Sequence, residues 1–247
     1  MRWIEKMRVK IFSDGANLDD FVRLVEKPYI KGFTTNPTLM RKAGIDDYDR
    51  FIQEVLTIVG DRPISFEVIS DEFDQMGAQA RYLQSFAENI YVKIPVMNTR
   101  GESSLPLIRD LTDDGVNVNV TAVMLLDQVK RIGEVLAGGG KAIISVFAGR
   151  IADTGVDPVP IMREAKRVIE ELPNVELLWA SPRELLNIFQ AEEADCDIIT
   201  VLPEILDKLE LVGRDLHAFS LDTVKMFYHD AVASGLDLSV AEVVSNE

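Results

Sequence analysis

Eight short runs of β-branched and other apolar residues recur along the chain, at residues 9–13, 30–34, 64–68, 90–94, 116–120, 142–147, 175–179 and 197–201. Their starts lie 21, 34, 26, 26, 26, 33 and 22 residues apart. Such gaps exceed a hairpin and leave room for a crossover helix between parallel strands. The segments between them carry helical spacing: Tyr48, Phe51, Ile52, Val55, Leu56 and Val59 form one stripe, and Met76, Ala80, Leu83 and Ala87 another. This rhythm predicts an α/β protein, a single-domain (β/α)8 TIM barrel over residues 1–247, and suits it better than a sandwich. Asp46 before the third helical run, Asp71 at the opening of the fourth, and Pro158 and Pro182 near helix starts fit as punctuation. Beyond the eighth run, a short helical stretch at 203–209 and a longer one at 220–233 predict a C-terminal helical extension over 203–247. Its apolar residues must pack on the barrel or on a neighbour, and the last few residues are expected to fray.

Composition narrows the class of partner. The 41 acidic and 26 basic residues leave a formal charge of -15. That works against a nucleic acid groove or an anionic membrane footprint, yet leaves room for a small basic pocket. One cysteine rules out a disulfide framework, and two histidines beside it are too few for a zinc cluster. No apolar run reaches membrane-spanning length, and the first ten residues lack the apolar core of a signal peptide. The expectation is a cytoplasmic protein with no metal and no cofactor, acting without nucleic acid or membrane.

Polar groups at alternating strand positions carry the functional signal, because a parallel strand covered by helices ordinarily reads as almost continuously apolar. In the fifth run Val116, Val118 and Val120 alternate with Asn117, Asn119 and Thr121, which are expected to point inward toward the C-terminal mouth. The same parity turns Gly32, Thr34 and Asn36 inward, with Phe12 and Asp14, Ser65 and Glu67, and Tyr91, Lys93 and Pro95. Lys93 is the sharpest of these, since a buried ammonium needs a partner or must lose its proton. One reading is structural, an ion pair with Asp14 or Glu67 or a side chain that snorkels to the rim. The other is catalytic: Lys93 attacks a ketone to form a Schiff base, Asp14 handles the proton at the carbon bond made or broken, and Glu67 acts through a water. Asn36, Asn119 and Thr121 then orient substrate hydroxyls, or else form a satisfied internal network. Ser145 and Arg150 after the sixth run, with Ser181 and Arg183 after the seventh, suit a terminal phosphate, although either arginine can equally be a surface counterion.

Several of these segments, in order, resemble the transaldolase family: KGFTTNPT at 31–38, VKIP at 92–95, GVNVNVTA at 115–122 and ISVFAGR at 144–150, followed by ASPR at 180–183 and CDIIT at 196–200. The resemblance implies that Lys93 is the Schiff-base lysine, Asp14 the acid/base and Glu67 the partner of the catalytic water. It puts Thr34, Asn36, Asn119 and Thr121 at the reacting end, and Ser145, Arg150, Ser181 and Arg183 at the sugar-phosphate end. It also implies phosphorylated ketose and aldose substrates and a homo-oligomer, a pentamer or decamer using the C-terminal helices. The same family contains fructose-6-phosphate aldolases, which release dihydroxyacetone. Those resemble a glutamine pattern at Glu67 and tend to carry tyrosine near Phe147, which is counted here as substrate-binding, so the chain looks more like true transaldolases. A ketose with another terminal anion, such as a sulfonate, and a noncatalytic sugar-phosphate-binding barrel are the remaining alternatives.

Other features read as structural. AGGGK at 137–141 lacks full phosphate-loop spacing and is expected to be a tight turn. His217 and His229 lack metal-ligand spacing, Cys196 is expected to pack at the eighth strand, and Trp179 near the mouth.

Overall fold

Each apolar run becomes a strand in a computed structural model that describes residues 3–238. The strands are β1 Lys10–Asp14, β2 Ile30–Thr34, β3 Ile64–Glu67, β4 Ile90–Pro95, β5 Val118–Val123, β6 Ala142–Val146, β7 Val175–Trp179 and β8 Ile198–Val201. They pair in sequence order, all parallel, and β1 closes on β8. The expected (β/α)8 barrel is therefore the fold, and closure leaves no unpaired sheet edge. The helices between strands are α1 Leu18–Val25, α2 Pro37–Lys42, α3 Tyr48–Val59, α4 Phe73–Gln84, α5 Leu105–Asp113, α6 Leu126–Leu136, α7 Ala148–Asp153, α8 Pro158–Val168 and α9 Leu186–Glu193. After β8 come α10 Pro203–Leu206, a 3-10 turn at Asp207–Leu211 and α11 Leu216–Ser234.

The amphipathic stripes explain the outer layer: α3 buries Phe51, Ile52, Val55 and Val59, and α4 buries Met76, Ala80 and Leu83. The caps differ in detail from the sequence reading. Asp47, not Asp46, accepts the amide of Arg50 at 3.0 Å and starts α3. Glu72 occupies the cap of α4, because the Asp71 carboxylate is taken by the Thr99 amide at 2.8 Å and its hydroxyl at 2.6 Å. Pro158 opens α8 as expected, whereas Pro182 sits in a loop ahead of α9.

The fifth strand is the main correction. It begins at Val118, with Ala122 at φ +62° and a register break against β6 between Val120 and Val123. Asn117 thus lies before the strand, at the end opposite the mouth. Its amide donates to the carbonyls of Glu88 at 3.0 Å and Ile90 at 3.2 Å.

Inside the barrel Phe12, Ile143, Leu178, Ala180 and Ile198 form an apolar floor, with Tyr91 and Phe147 packed on it. Burying a ring such as Phe12 contributes roughly 1.5–3 kcal/mol. A Cβ on Gly32 would stand 2.5 Å from the Phe12 ring, so the glycine on β2 makes room for the floor.

The chain divides into two compact units, Met1–Asp207 and Lys208–Glu247. The second contains α11, started by Asp215 accepting the Ala218 amide at 2.8 Å and ended by Gly235 at φ +67°. This helix begins at Leu216, four residues ahead of the expected run, and buries none of its residues. The fraying expected at the end of the chain, and the end of the predicted 203–247 extension, lie outside the described residues.

Candidate functional site

The period of two along parallel strands brings Asp14, Thr34, Glu67, Lys93, Thr121, Ser145 and Thr200 to one cavity of about 480 Å³ at the C-terminal mouth. The register sets Glu67 beside Lys93 and Lys93 beside Asn119. Lys93 is buried, its Nζ 3.3 Å from Glu67 Oε2, and it donates to the Thr35 carbonyl at 3.0 Å. Of the partners expected for it, Glu67 makes the ion pair.

Glu67 is held from outside the barrel. The Tyr48 hydroxyl donates to the Glu67 carbonyl at 2.9 Å and accepts from its amide at 3.1 Å. Burial pushes that phenol's pKa up, so it stays neutral while doing so.

Asp14 accepts from Thr34 Oγ1 at 2.8 Å. Burial raises its carboxyl above the usual range; the Lys93 charge and the Thr34 hydrogen bond oppose this, and the Glu67 charge adds to it. A carboxyl pushed toward neutrality beside a lysine and a second carboxylate is a site suited to proton transfer.

The remaining polar groups divide by what already holds them. Ser145 Oγ donates to Asn119 Oδ1 at 2.6 Å, and Asn119 Nδ2 donates to Ser65 Oγ at 3.0 Å. Asn119 is therefore fully buried in a network behind the cavity and does not line it, whereas Ser145, its partner, does. Asn36 lines the cavity while its Oδ1 accepts the Leu39 amide at 3.0 Å and caps α2. Thr121 Oγ1 is buried with no partner among the described residues, and so can serve a ligand hydroxyl.

At the rim, the first turn of α7 and the loop after β7 meet because residue 149 is glycine: a Cβ there would stand 1.5 Å from the Ser181 carbonyl. Ser181 has φ +62°, a conformation uncommon for a side chain other than glycine. Arg150 lies over the Phe147 ring, 5.2 Å from its centroid, and makes no ion pair among the described residues. Arg183 differs. Its Nε is 2.9 Å from Asp153 Oδ1, its Nη2 also bonds Asp153, and its Nη1 donates to Ser181 Oγ at 3.1 Å. This arginine has a counterion, as the alternative reading allowed, and it holds the Asp153 carboxyl below its ordinary value.

Sequence reasoning missed three residues. Thr200 follows Ile198 on the inward parity of β8, so the same alternation could have found it. Tyr48 was absorbed into the apolar stripe of α3. Lys42, at the end of α2, lines the cavity and had no pattern to reveal it. Trp179 and Cys196 are buried and do not line the cavity, and burial pushes the Cys196 thiol up, away from nucleophilic use. No cluster of potential metal ligands occurs among the described residues.

Comparison with known proteins identifies relatives over most of the chain. The family model described as transaldolase/fructose-6-phosphate aldolase matches residues 11–242. A probable transaldolase 2 of Listeria monocytogenes is 34% identical over 218 residues, 87% of this chain and 95% of the relative. A probable transaldolase of Lactiplantibacillus plantarum is 33% identical, covering 87% and 96%. One of Nitrosopumilus maritimus is 30% identical, covering 81% and 87%. Among solved structures, the tryptophan synthase alpha subunit of Campylobacter jejuni superposes with a TM-score of 0.52 at 13% identity, over 81% of this chain and 89% of that one. That likeness concerns the barrel fold alone.

Proposed function

Because the chain belongs to the transaldolase/fructose-6-phosphate aldolase family, and is therefore an enzyme, we propose that it transfers a dihydroxyacetone unit between sugar phosphates through a Schiff base on Lys93. The observation that carries this is a buried lysine 3.3 Å from a carboxylate at the mouth of the barrel, with a second carboxylate, Asp14, facing the same cavity.

Lys93 Nζ, having given up a proton, attacks the C2 carbonyl of sedoheptulose 7-phosphate. The carbinolamine loses its oxygen as water, with Glu67 moving protons through a bound water. The protonated imine withdraws electrons, Asp14 takes the proton of the C4 hydroxyl, and the C3–C4 bond breaks. Erythrose 4-phosphate leaves and the enamine stays on Lys93. Its C3 then attacks the aldehyde of glyceraldehyde 3-phosphate, Asp14 returns the proton to the new hydroxyl, and hydrolysis of the imine frees fructose 6-phosphate. Thr121, Asn36 and Thr34 line the reacting end, Asn119 supports it from behind, and Ser145, Phe147, Arg150, Ser181 and Arg183 receive the sugar-phosphate end. The mechanism uses no metal or cofactor.

We also propose self-association through α11, whose exposed Leu221, Val224, Phe227 and Tyr228 leave large apolar area in water; a pentamer or decamer fits the family resemblance. No described helix is long and apolar enough to cross a membrane; a cytoplasmic setting is part of the proposal.

The test is product analysis from fructose 6-phosphate with and without erythrose 4-phosphate. Sedoheptulose 7-phosphate formed only with the acceptor supports transfer. Free dihydroxyacetone released at the same rate without acceptor makes the protein an aldolase instead.

A further inference from the structure

The proposed acid/base carboxylate has a chain of hydroxyls behind it. Thr34 Oγ1 donates to Asp14 Oδ1 at 2.8 Å and also makes a short hydrogen bond with Thr200 Oγ1. A hydroxyl has one proton to give and two lone pairs with which to accept. With the Thr34 proton committed to the carboxylate, Thr200 must be the donor in the second bond. The order is Thr200 to Thr34 to Asp14. The register pairs Phe12 with Thr200 and Asp14 with Thr34, so the two threonines flank β1 on successive inward levels. Both are buried, which fixes their rotors and strengthens a chain of aligned donors.

We infer that Thr200 is a positioning residue: its donation locks the Thr34 hydroxyl onto Asp14 and holds that carboxylate in place to take the substrate proton. The inference rests on the proposed Schiff-base reaction, in which Asp14 acts as the base. The charged groups facing Asp14 are Lys93 on β4 and Glu67 on β3. Burial and the Glu67 charge push the Asp14 carboxyl toward its neutral form, and the Lys93 charge and the Thr34 bond resist. Of the two resisting groups, Lys93 changes state during the cycle, losing its proton to attack and regaining a positive charge only as the protonated imine. The Thr34 bond stays in place through the whole cycle, and Thr200 secures it.

Thr200→Val keeps the shape and deletes the hydroxyl; Thr200→Ser restores a hydroxyl. Two readouts are taken for each and for the parent: the pH profile of fructose 6-phosphate turnover, and borohydride trapping of the sugar on Lys93. In Thr200→Val the acid limb of the profile should move up by as much as about one pH unit, the size of one lost hydrogen bond. Trapping at Lys93 should stay within about twofold of the parent. Thr200→Ser should return the limb to the parent position. A Thr200→Val limb that coincides with the parent's, or a Thr200→Ser limb displaced as far as that of Thr200→Val, overturns the role of Thr200 alone. A parent protein that gives no adduct on Lys93 overturns the underlying reaction, and the role of Thr200 with it.

Discussion

The wall of the barrel from β1 to β5 and the loops after β6 and β7 treat charge in opposite ways. In the wall, the Lys93 side chain is 8% exposed and that of Glu67 15%. At the rim, the paired side chains of Arg183, in the loop after β7, and Asp153, at the end of α7, are 46% and 52% exposed. Burying an ion costs several kcal/mol unless partners and hydrogen bonds compensate it, so Lys93, Glu67 and Asp14 are held in place by one another. An exposed pair in high dielectric contributes little, so Arg183 can exchange Asp153 for the anion of a ligand without disturbing the fold. In the proposed reaction the first region does the chemistry and the second anchors what arrives.

Substitutions should separate the two regions by the kinetic constant they change. The largest effect is expected for Lys93→Ala, which should lower turnover by more than about 10⁴-fold, as removal of a nucleophile does. Retained turnover would place the chemistry elsewhere. Glu67→Gln should lower kcat by roughly 10²–10⁴-fold, the usual share of a general acid/base, with KM little changed; a change confined to KM would move Glu67 to the anchoring side.

The rim should respond in KM. Arg150→Ala is expected to raise KM for fructose 6-phosphate by about tenfold or more, the worth of a charged hydrogen bond. Arg183→Ala should raise it less, because Asp153 already shares that guanidinium. Cleavage of a nonphosphorylated ketose should be unaffected by either, and equal losses on both substrates would break the division of labour.

The smallest effect is on stability. Burial raises the Asp14 carboxyl in the folded chain, so the fold binds that proton more tightly than the unfolded chain does. Stability from this residue therefore falls as pH rises from near the ordinary value of about 3.9 through the raised one. Asp14→Asn should melt above the parent at neutral pH, at about 2–4 °C per kcal/mol for a chain of this size. The difference should close as pH falls below about 4. A variant that melts lower at neutral pH would mean that Asp14 stabilises Lys93 more than its own burial costs.

Much of this was legible in the chain, because period two in a parallel strand is a strong constraint: one slip turns every side chain to the other face. Asp14, Thr34, Glu67, Lys93 and Thr121 line the cavity as parity alone places them. The reading failed where the backbone leaves the ideal strand. Starting β5 two residues too early put Asn117 inside the barrel, and nothing local in the alternation of 116–121 distinguishes the strand from its approach. Partners across the fold were equally hidden. That Asp153 would claim Arg183 and that Tyr48 would hold Glu67 depends on contacts 30 and 19 residues apart in sequence, which no local pattern encodes. The cap of α4 moved from Asp71 to Glu72 for the same reason, since a distant threonine took the carboxylate.

The central claim, that Lys93 carries the substrate covalently, is tested most directly by borohydride reduction in the presence of fructose 6-phosphate, followed by mass analysis of the peptides. The account predicts a reduced sugar adduct on the peptide containing Lys93, absent in Lys93→Ala. A protein that turns over the sugar and yet gives no adduct on Lys93, or gives it on another lysine such as Lys42, would contradict it.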